Sequence, residues 1–259
     1  MKYFPSPAIE AVIRNAIHGK LHAYNPEPAA MPFQVRLLGR DRMALYSFIQ
    51  SLNTTFGASI YEPVAKVVAD RSFDKVVLKA NPPRQMSRGI RHRIDEIVSG
   101  LESGNASPDR DEHEHDLRSA LTSDYEKIVV NLTKIDVLLQ RGDTLYLVDI
   151  KTAKPNKGNF RNYKRTLLEW MGAYLELDPR YKVFPMIAIP YNPYTPKPYS
   201  RWTMAGMLDL HNELKVAEEF WDFLGGAGAY EEILNCFERV GIEMRDEINR
   251  YFARFLRHT

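Results

Sequence analysis

Apolar and polar residues alternate along the chain in two periods, one typical of helices and one typical of strands. Apolar residues at helical spacing are found over 41–70 (with a break at Gly57), 162–177 and 230–256. Runs rich in β-branched and apolar residues are found over 128–139, 144–151 and 182–192. Strand, strand, helix and strand, with helices before and after, predict a layered α/β domain.

The first two predicted strands flank Arg141-Gly142-Asp143, which predicts a β-hairpin. Side chains alternate along a strand, so Asp149 and Lys151 lie on one face. With Gly142-Asp143 as the loop, Asp136 lies directly opposite Asp149, with Cβ atoms about 5 Å apart. With Arg141-Gly142 as the loop, the two acids are diagonal neighbours at about 7–8 Å. A three-residue loop would place them on opposite faces.

Either two-residue loop brings two carboxylates and one ammonium together among apolar residues. Burying such acids is costly unless the lysine, a cation or exposure at a strand end compensates them. Paired carboxylates suit Mg²⁺, a hard cation that prefers oxygen ligands. The alternative is a hairpin with an ordinary surface ion pair between Asp149 and Lys151.

The amino-acid composition indicates the class of protein but says little about its function. The chain has 259 residues, 44% of them hydrophobic, which is typical of a globular protein. A single cysteine, Cys236, excludes an internal disulfide and a cysteine zinc site, and its apolar helix predicts a buried structural thiol. No apolar run approaches the ~20 residues needed to span a bilayer, and the N-terminus lacks an apolar signal segment. We therefore expect a cytoplasmic protein without a membrane partner.

Charge is segregated although the net charge is only +2. Six bases and no acid lie between Lys151 and Arg165, and a second acid-free basic run covers 82–93. Such clusters are typical of proteins that bind a polyanion such as nucleic acid, although solvated basic faces are the alternative.

Two other segments contain possible site residues. Residues 99–122 are rich in acids, glycine and proline and predict a long exposed loop, in which His113 and His115 would fix no metal geometry. Tyr191, Tyr194 and Tyr199 follow the last strand among prolines and bases, where they could stack on nucleotides or pack inward.

Asp136 followed by Asp149-Ile150-Lys151 resembles the PD-(D/E)xK nuclease superfamily, although Ile135 stands where that family often has proline. Residues 134–170 look like a sub-family of type II restriction endonucleases that cut GGNCC-type palindromes. Residues 56–62 and 216–224 are similar to an upstream helix and a late strand-to-helix junction of that group.

The resemblance implies a restriction-endonuclease-like α/β core, a mixed β-sheet flanked by helices, with additional N- and C-terminal helices. It implies one nuclease domain over 1–259, with its core at about 50–240. It also implies Mg²⁺ held by Asp136 and Asp149, Lys151 as the catalytic lysine, and Glu62 and Glu169 as accessory acids. For Glu62 the alternative is a surface glutamate, and for Glu169 an ion pair with Arg165.

The expected activity is hydrolysis of double-stranded DNA by a homodimer, with a cognate methyltransferase encoded nearby. The alternatives are a repair or recombination nuclease with the same core and an inactive DNA-binding module. The bases expected to contact DNA are Lys154, Lys157, Arg161, Lys164 and Arg165. The helix over 230–256 has apolar residues on more than one stripe, which suggests a dimer surface or burial on two sides within one chain.

Overall fold

The computed structural model describes residues 4–24, 31–121, 126–200, 204 and 206–256. The chain forms two compact units, one of residues 1–68 and 228–259 and one of residues 69–227. The α-helices are α1 (Ser6–Ala23), α2 (Pro32–Leu38), α3 (Arg40–Phe56), α4 (Glu62–Ala69), α5 (Arg88–Glu102), α6 (Arg110–Ser119), α7 (Phe160–Leu177), α8 (Glu218–Gly225), α9 (Ala229–Glu243) and α10 (Arg245–Leu256). The strands are β1 (Lys75–Ala80), β2 (Gln85–Ser87), β3 (Lys127–Val129), β4 (Ile135–Arg141), β5 (Thr144–Ile150), β6 (Lys182–Ile189) and β7 (Leu214–Val216).

The unit of residues 69–227 is built on a five-stranded sheet of order β1-β4-β5-β6-β7. β4 pairs antiparallel with both β1 and β5, whereas β6 runs parallel to both β5 and β7. α7 connects β5 to β6, as a parallel pair requires a crossover. The expected mixed sheet flanked by helices is therefore confirmed.

α7 packs on one face of this sheet, and α5 and α6 pack against α7. Leu138, Leu145 and Leu147 of the hairpin belong to the same buried cluster as Leu167 and Leu168 of α7. The apolar face of α7 packs onto the sheet because apolar residues recur at helical spacing along it. This is the face on which the strand periodicity also places Asp136 and Asp149.

The opposite face carries an aromatic cluster. Tyr146 of β5 lies beside Phe184 of β6, with ring centroids 5.4 Å apart. Phe223 of α8 packs edge-on against Tyr146 at 5.0 Å, and Phe73 packs against both Tyr146 and Phe223. Both faces of the central strands are therefore buried, which explains their continuous apolar runs.

The segment 99–122 differs from its predicted loop. α5 continues to Glu102, and α6 occupies Arg110–Ser119 after Asp109, whose carboxylate accepts from the amides of Asp111 and Glu112 as an N-cap. Arg110, His113 and Leu117 form a buried stripe at helical spacing. The loop prediction is wrong because only one of these three buried residues, Leu117, is apolar, so the sequence shows no apolar periodicity for this helix.

The C-terminal prediction of one helix over 230–256 is also wrong in part. α9 ends at Glu243 and α10 begins at Arg245, with Met244 between them. Gly57 does not break the earlier helix; residues Gly57–Tyr61 form a π-helical turn between α3 and α4. None of the described helices has both the length and the apolarity needed to cross a membrane.

The described residues of the unit 1–68 and 228–259 are mostly helical. α1 packs along α9, and α10 packs against α3. Ile9 and Ile13 of α1, Phe48 of α3 and Ile233 and Val240 of α9 are buried. Cys236 is a buried free thiol, as predicted.

Candidate active site

Strands β4 and β5 bring the two predicted acids together. Val137 pairs with Val148 and Arg141 with Thr144, so the loop is Gly142-Asp143. Continuing this register by one residue places Asp136 directly opposite Asp149. The backbone amide of Ile150 donates to Asp136 Oδ2 over 2.9 Å, which holds the Asp136 carboxylate across the strand pair. The first of the two predicted registers is therefore confirmed.

Two lysines neutralise this pair of acids. Lys151 Nζ donates to Asp149 Oδ1 over 2.6 Å, and Lys79 Nζ of β1 donates to Asp136 Oδ1 over 2.7 Å. Lys151 Nζ also lies 4.9 Å from the centroid of the Tyr163 ring of α7, a cation–π contact. The ammonium of Lys151 is thus held between a carboxylate and an aromatic face.

The environment of Asp149 shifts its titration towards higher pH. Burial raises the pKa of the Asp149 carboxyl to about 6, and the adjacent Asp136 carboxylate contributes to the rise. The Lys151 ammonium acts in the opposite direction but is outweighed by burial. A buried acid beside a second acid is a position at which a bound cation would restore the charged form.

The donor set of this site suits a hard divalent cation. Asp136 and Asp149 offer carboxylate oxygens on one face, and Asp136 is only partly buried, with 18% of its side chain exposed. Oxygen ligands with an opening to solvent are what Mg²⁺ uses when it retains waters and takes substrate oxygens. The residues present therefore fit such an ion.

The two accessory acids have different surroundings. Glu169 of α7 accepts from Arg91 Nη1 of α5 over 2.7 Å, while Arg165 pairs with Asp95 instead. Burial raises the pKa of Glu169, opposed by Arg91. Glu62 is buried at the start of α4 in the unit of residues 1–68 and 228–259, so its accessory role stays a prediction.

The predicted DNA-contacting bases separate into accessible and inaccessible side chains. Lys154 and Arg161 are exposed; Lys154 Nζ lies 5.3 Å from the Tyr194 ring, and Arg161 pairs with Glu102 over 2.9 Å. Arg165 retains 22% exposure beside Asp95. Lys157 begins a 3₁₀ turn, and its side chain lies outside the described residues.

Lys164 contradicts the expectation of an accessible base. Its side chain is 0% exposed, and its Nζ donates to both oxygens of Glu213, over 2.6 and 2.8 Å. Burial lowers the pKa of Lys164, and Glu213 opposes this change. The prediction that Lys164 meets DNA is wrong, because α7 turns this position towards the protein interior.

The loop after β6 packs partly inward. The Tyr199 hydroxyl donates to the Ala153 carbonyl over 3.1 Å, and the Tyr194 ring lies 5.9 Å from that of Tyr199. Tyr191 is 44% exposed. The loop therefore rests against the segment that directly follows Lys151.

Sequence reasoning did not find three residues of the site: Lys79, Arg91 and Tyr163. Lys79 has a φ of 51°, a conformation rare for a residue with a side chain, at the point where β1 passes Asp136. Arg91 belongs to the basic run 82–93, but no periodicity in that run predicts its contact with Glu169. The partners lie 57 and 78 residues apart, so only the folded chain joins them.

The sequence is similar to known type II restriction enzymes. The family described as type II restriction endonuclease, HinfI, matches residues 6–241. The type II restriction enzyme MjaII of Methanocaldococcus jannaschii is 27% identical over 224 residues, which are 82% of this chain and 56% of MjaII. The chain thus spans little more than half the length of that relative.

Two further relatives come from Herpetosiphon aurantiacus. The type II restriction enzyme HgiCII is 26% identical over 236 residues, covering 89% of this chain and 84% of HgiCII. The type II restriction enzyme HgiEI is 25% identical over 225 residues, covering 85% of this chain and 80% of HgiEI. Because the family match extends over most of the sequence, the chain belongs to the HinfI family of type II restriction endonucleases.

Proposed function

We propose that this protein hydrolyses phosphodiester bonds of double-stranded DNA at a short palindromic site, using Mg²⁺ held by Asp136 and Asp149. The observation that carries the proposal is the direct cross-strand pairing of these two acids beside the Lys151 ammonium, 2.6 Å from Asp149. An ordinary surface hairpin would not require two acids on the face that α7 covers.

The metal-binding roles follow from the donor set. Asp136 and Asp149 would hold the ion, which when bound supplies Lewis acidity to the scissile phosphate and lowers the pKa of a water. Lys79, the present partner of Asp136, would lose that contact to the ion. The 45% exposure of the Lys79 side chain gives it room to turn towards a phosphate.

Lys151 would act on the reacting atoms. In the hydrolysis, a water oxygen bonds to phosphorus and the bond to the 3′ oxygen breaks. The electron pair leaves on the 3′ oxygen, which takes a proton, so that 5′-phosphate and 3′-hydroxyl ends result. The Lys151 ammonium would hold the attacking water or stabilise the negative charge that develops on the phosphorus oxygens. Its contact with Tyr163 restricts its position in advance.

The DNA-binding surface is proposed to include Lys154, Lys157, Arg161 and Arg165. The segment after Lys151 and the start of α7 carry these bases, so a duplex at the active site would lie within their reach. Phosphate contacts should lower the affinity for all sequences equally when removed, and should reduce the salt slope by about one each. Arg161, with a forked donor pair, is the candidate for reading guanine.

A homodimer is proposed because a palindrome presents two equivalent scissile bonds, which a two-fold assembly matches. The stripe considered on the C-terminal helices is divided: Leu234 and Ile242 are 44% and 58% exposed, whereas Phe252 packs on Phe48. α2 offers a larger apolar surface, with Phe33 83% and Leu37 81% exposed. We therefore propose α2 and the adjoining part of α3 as the contact between copies.

The decisive experiment is plasmid cleavage with Mg²⁺ by the protein and its Asp136→Ala, Asp149→Ala and Lys151→Ala variants. Each change should lower the cleavage rate by roughly 10³-fold or more, because each group acts in the transition state. Asp143→Asn is the matched control, since Asp143 is an exposed acid at the other end of the same hairpin. A site variant that cuts at the parent rate would refute the assignment.

The fragments identify the class of nuclease. Discrete, reproducible fragments mean restriction, degradation to a smear means a repair or recombination nuclease, and a gel shift without cleavage means a binding module. End sequencing of discrete fragments tests the proposed GGNCC-like palindrome. Protection of the same sites by a methyltransferase encoded beside this gene would identify its cognate partner.

A further inference from the structure

α1 lies alongside α9 and α10, and its polar side chains contact these helices at intervals of one helical turn. Arg239 Nε donates to Glu10 over 2.6 Å, and Arg14 donates to both oxygens of Glu243. One turn further, His18 Nδ1 lies 2.9 Å from Glu247 Oε1. In the first two of these contacts the basic residue is an arginine, and in the third it is a histidine.

A second histidine follows His18 after one more turn. His22 lies at i+4 on α1, and its ring stacks on that of His18 at a centroid distance of 6.3 Å and an interplanar angle of 16°. One turn after Glu247, α10 presents Tyr251, whose hydroxyl donates to the Tyr24 carbonyl over 2.8 Å. A series of ion pairs between these helices explains why His18 lies beside Glu247, but it gives no role to His22.

We infer that His18, His22 and Glu247 form a binding site for a divalent transition-metal ion of the zinc class, separate from the oxygen site of Asp136 and Asp149. One ligand atom from each of the three residues lies within 4.8 Å of the other two. Zn²⁺ bonds imidazole nitrogen and carboxylate oxygen at about 2.0–2.2 Å, so small rotamer changes bring the three atoms to one ion.

The chemistry of the ligands selects the class of ion. Imidazole suits Zn²⁺, Ni²⁺ and Cu²⁺, whereas Mg²⁺ takes oxygen ligands. The pair at i and i+4 presents two imidazoles on one helix face, and the glutamate comes from a different helix. A bound ion would therefore connect α1 to α10, which belong to opposite ends of the sequence.

The position of the cluster allows an ion to enter and leave. The His18 side chain is 42% exposed and that of Glu247 31% exposed, and His22 is exposed as well. Binding to the folded state alone raises stability by mass action, so the stabilisation of this helical unit should grow with the logarithm of the free Zn²⁺ concentration once that exceeds Kd.

The test is isothermal titration of the full chain, without a polyhistidine tag, with ZnCl₂ in excess Mg²⁺ to occupy the oxygen site. We expect one Zn²⁺ per chain, and at least tenfold weaker binding in His18→Ala, His22→Ala and Glu247→Gln. His92→Ala is the matched control, because His92 is an exposed histidine that pairs with Glu96 at i+4 without a second histidine in the pair.

His22→Ala is the discriminating variant, since it leaves the contact between His18 and Glu247 in place. Zn²⁺ should raise the thermal unfolding midpoint of the parent by several degrees and leave that of His22→Ala unchanged. The visible absorption of Co²⁺ bound in the same site should be lost in this variant. Unaltered Zn²⁺ affinity in His22→Ala, or loss of affinity in His92→Ala alone, would overturn the inference.

Discussion

Replacing Lys164 by methionine removes an ammonium that is enclosed completely by the protein, while retaining an unbranched side chain of similar length. The partner Glu213 is also 0% exposed, and its Oε2 additionally accepts from the backbone amide of Asp209 over 2.9 Å. In Lys164→Met the Glu213 carboxylate would remain buried with that amide as its described partner. An uncompensated charge in such a position is strongly destabilising.

The expected loss is about 3–5 kcal/mol in the free energy of unfolding, the range found when one partner of a buried ion pair is removed. A domain of this kind has about 5–15 kcal/mol in total, so the variant should be marginally stable. Glu213→Gln should cost less than this, since its amide oxygen still accepts from Lys164 and Asp209. The double variant Lys164→Met/Glu213→Gln should be more stable than Lys164→Met alone, because the buried charge is gone.

Urea unfolding followed by tryptophan fluorescence measures these differences, because Trp170 and Trp221 are buried in the same unit as Lys164. Lys182→Met, at an exposed position at the start of β6, is the control and should change stability by less than about 0.5 kcal/mol. Urea is preferable to guanidinium, whose ions would screen charge interactions.

A loss below about 1 kcal/mol in Lys164→Met would refute the reasoning, since it would mean that Glu213 is not left buried and charged. DNA binding gives a second criterion. The salt slope of DNA affinity should be the same in Lys164→Met as in the parent, whereas Lys154→Met should reduce it by about one. A reduced slope in Lys164→Met would restore this lysine as a DNA contact.

Three other predictions concern pH, packing and assembly. Burial lowers the pKa of His113 from 6.5 to about 4, so the unfolded chain binds a proton that the folded chain does not. Stability should therefore fall by up to about 3 kcal/mol as pH drops through this interval, and His113→Gln should show a smaller fall in urea titrations at each pH. A Cβ on Gly172 of α7 would lie 2.6 Å from Ile90 Cγ2, so Gly172→Ala should cost about 1–3 kcal/mol, whereas Gly241→Ala, in open space on α9, should gain about 0.5–1 kcal/mol. Equal effects of the two alanines would contradict the packing argument. Sedimentation should give twice the chain mass of 29.9 kDa for the parent and a monomer for Leu37→Asp; a monomeric parent, both free and on cleavable DNA, would exclude the dimer.

The hairpin and the acids on its two strands could be predicted from the sequence. Strand periodicity is a local property, so a two-residue loop would place Asp136, Asp149 and Lys151 on one face, but the loop itself was settled only by the pairing of Arg141 with Thr144. The same holds for α7 and β6, whose apolar patterns are long and regular. The resemblance of residues 134–170 to type II restriction endonucleases rests on this same local segment.

The groups that surround these acids depend on the tertiary fold. Lys79 reaches Asp136 because β1 pairs with β4, and Arg91 reaches Glu169 because α5 packs on α7. In the sequence Lys164 is one base of a basic run. In the structure the orientation of α7 buries its side chain, which pairs with Glu213, 49 residues away. From its sequence, segment 110–119 is predicted to be an exposed acidic loop. In the structure it is a helix capped by Asp109, and its narrow stripe of Arg110, His113 and Leu117 is buried. Contacts between residues far apart in sequence produce no hydrophobic periodicity in either segment. They can therefore be seen only in the folded chain.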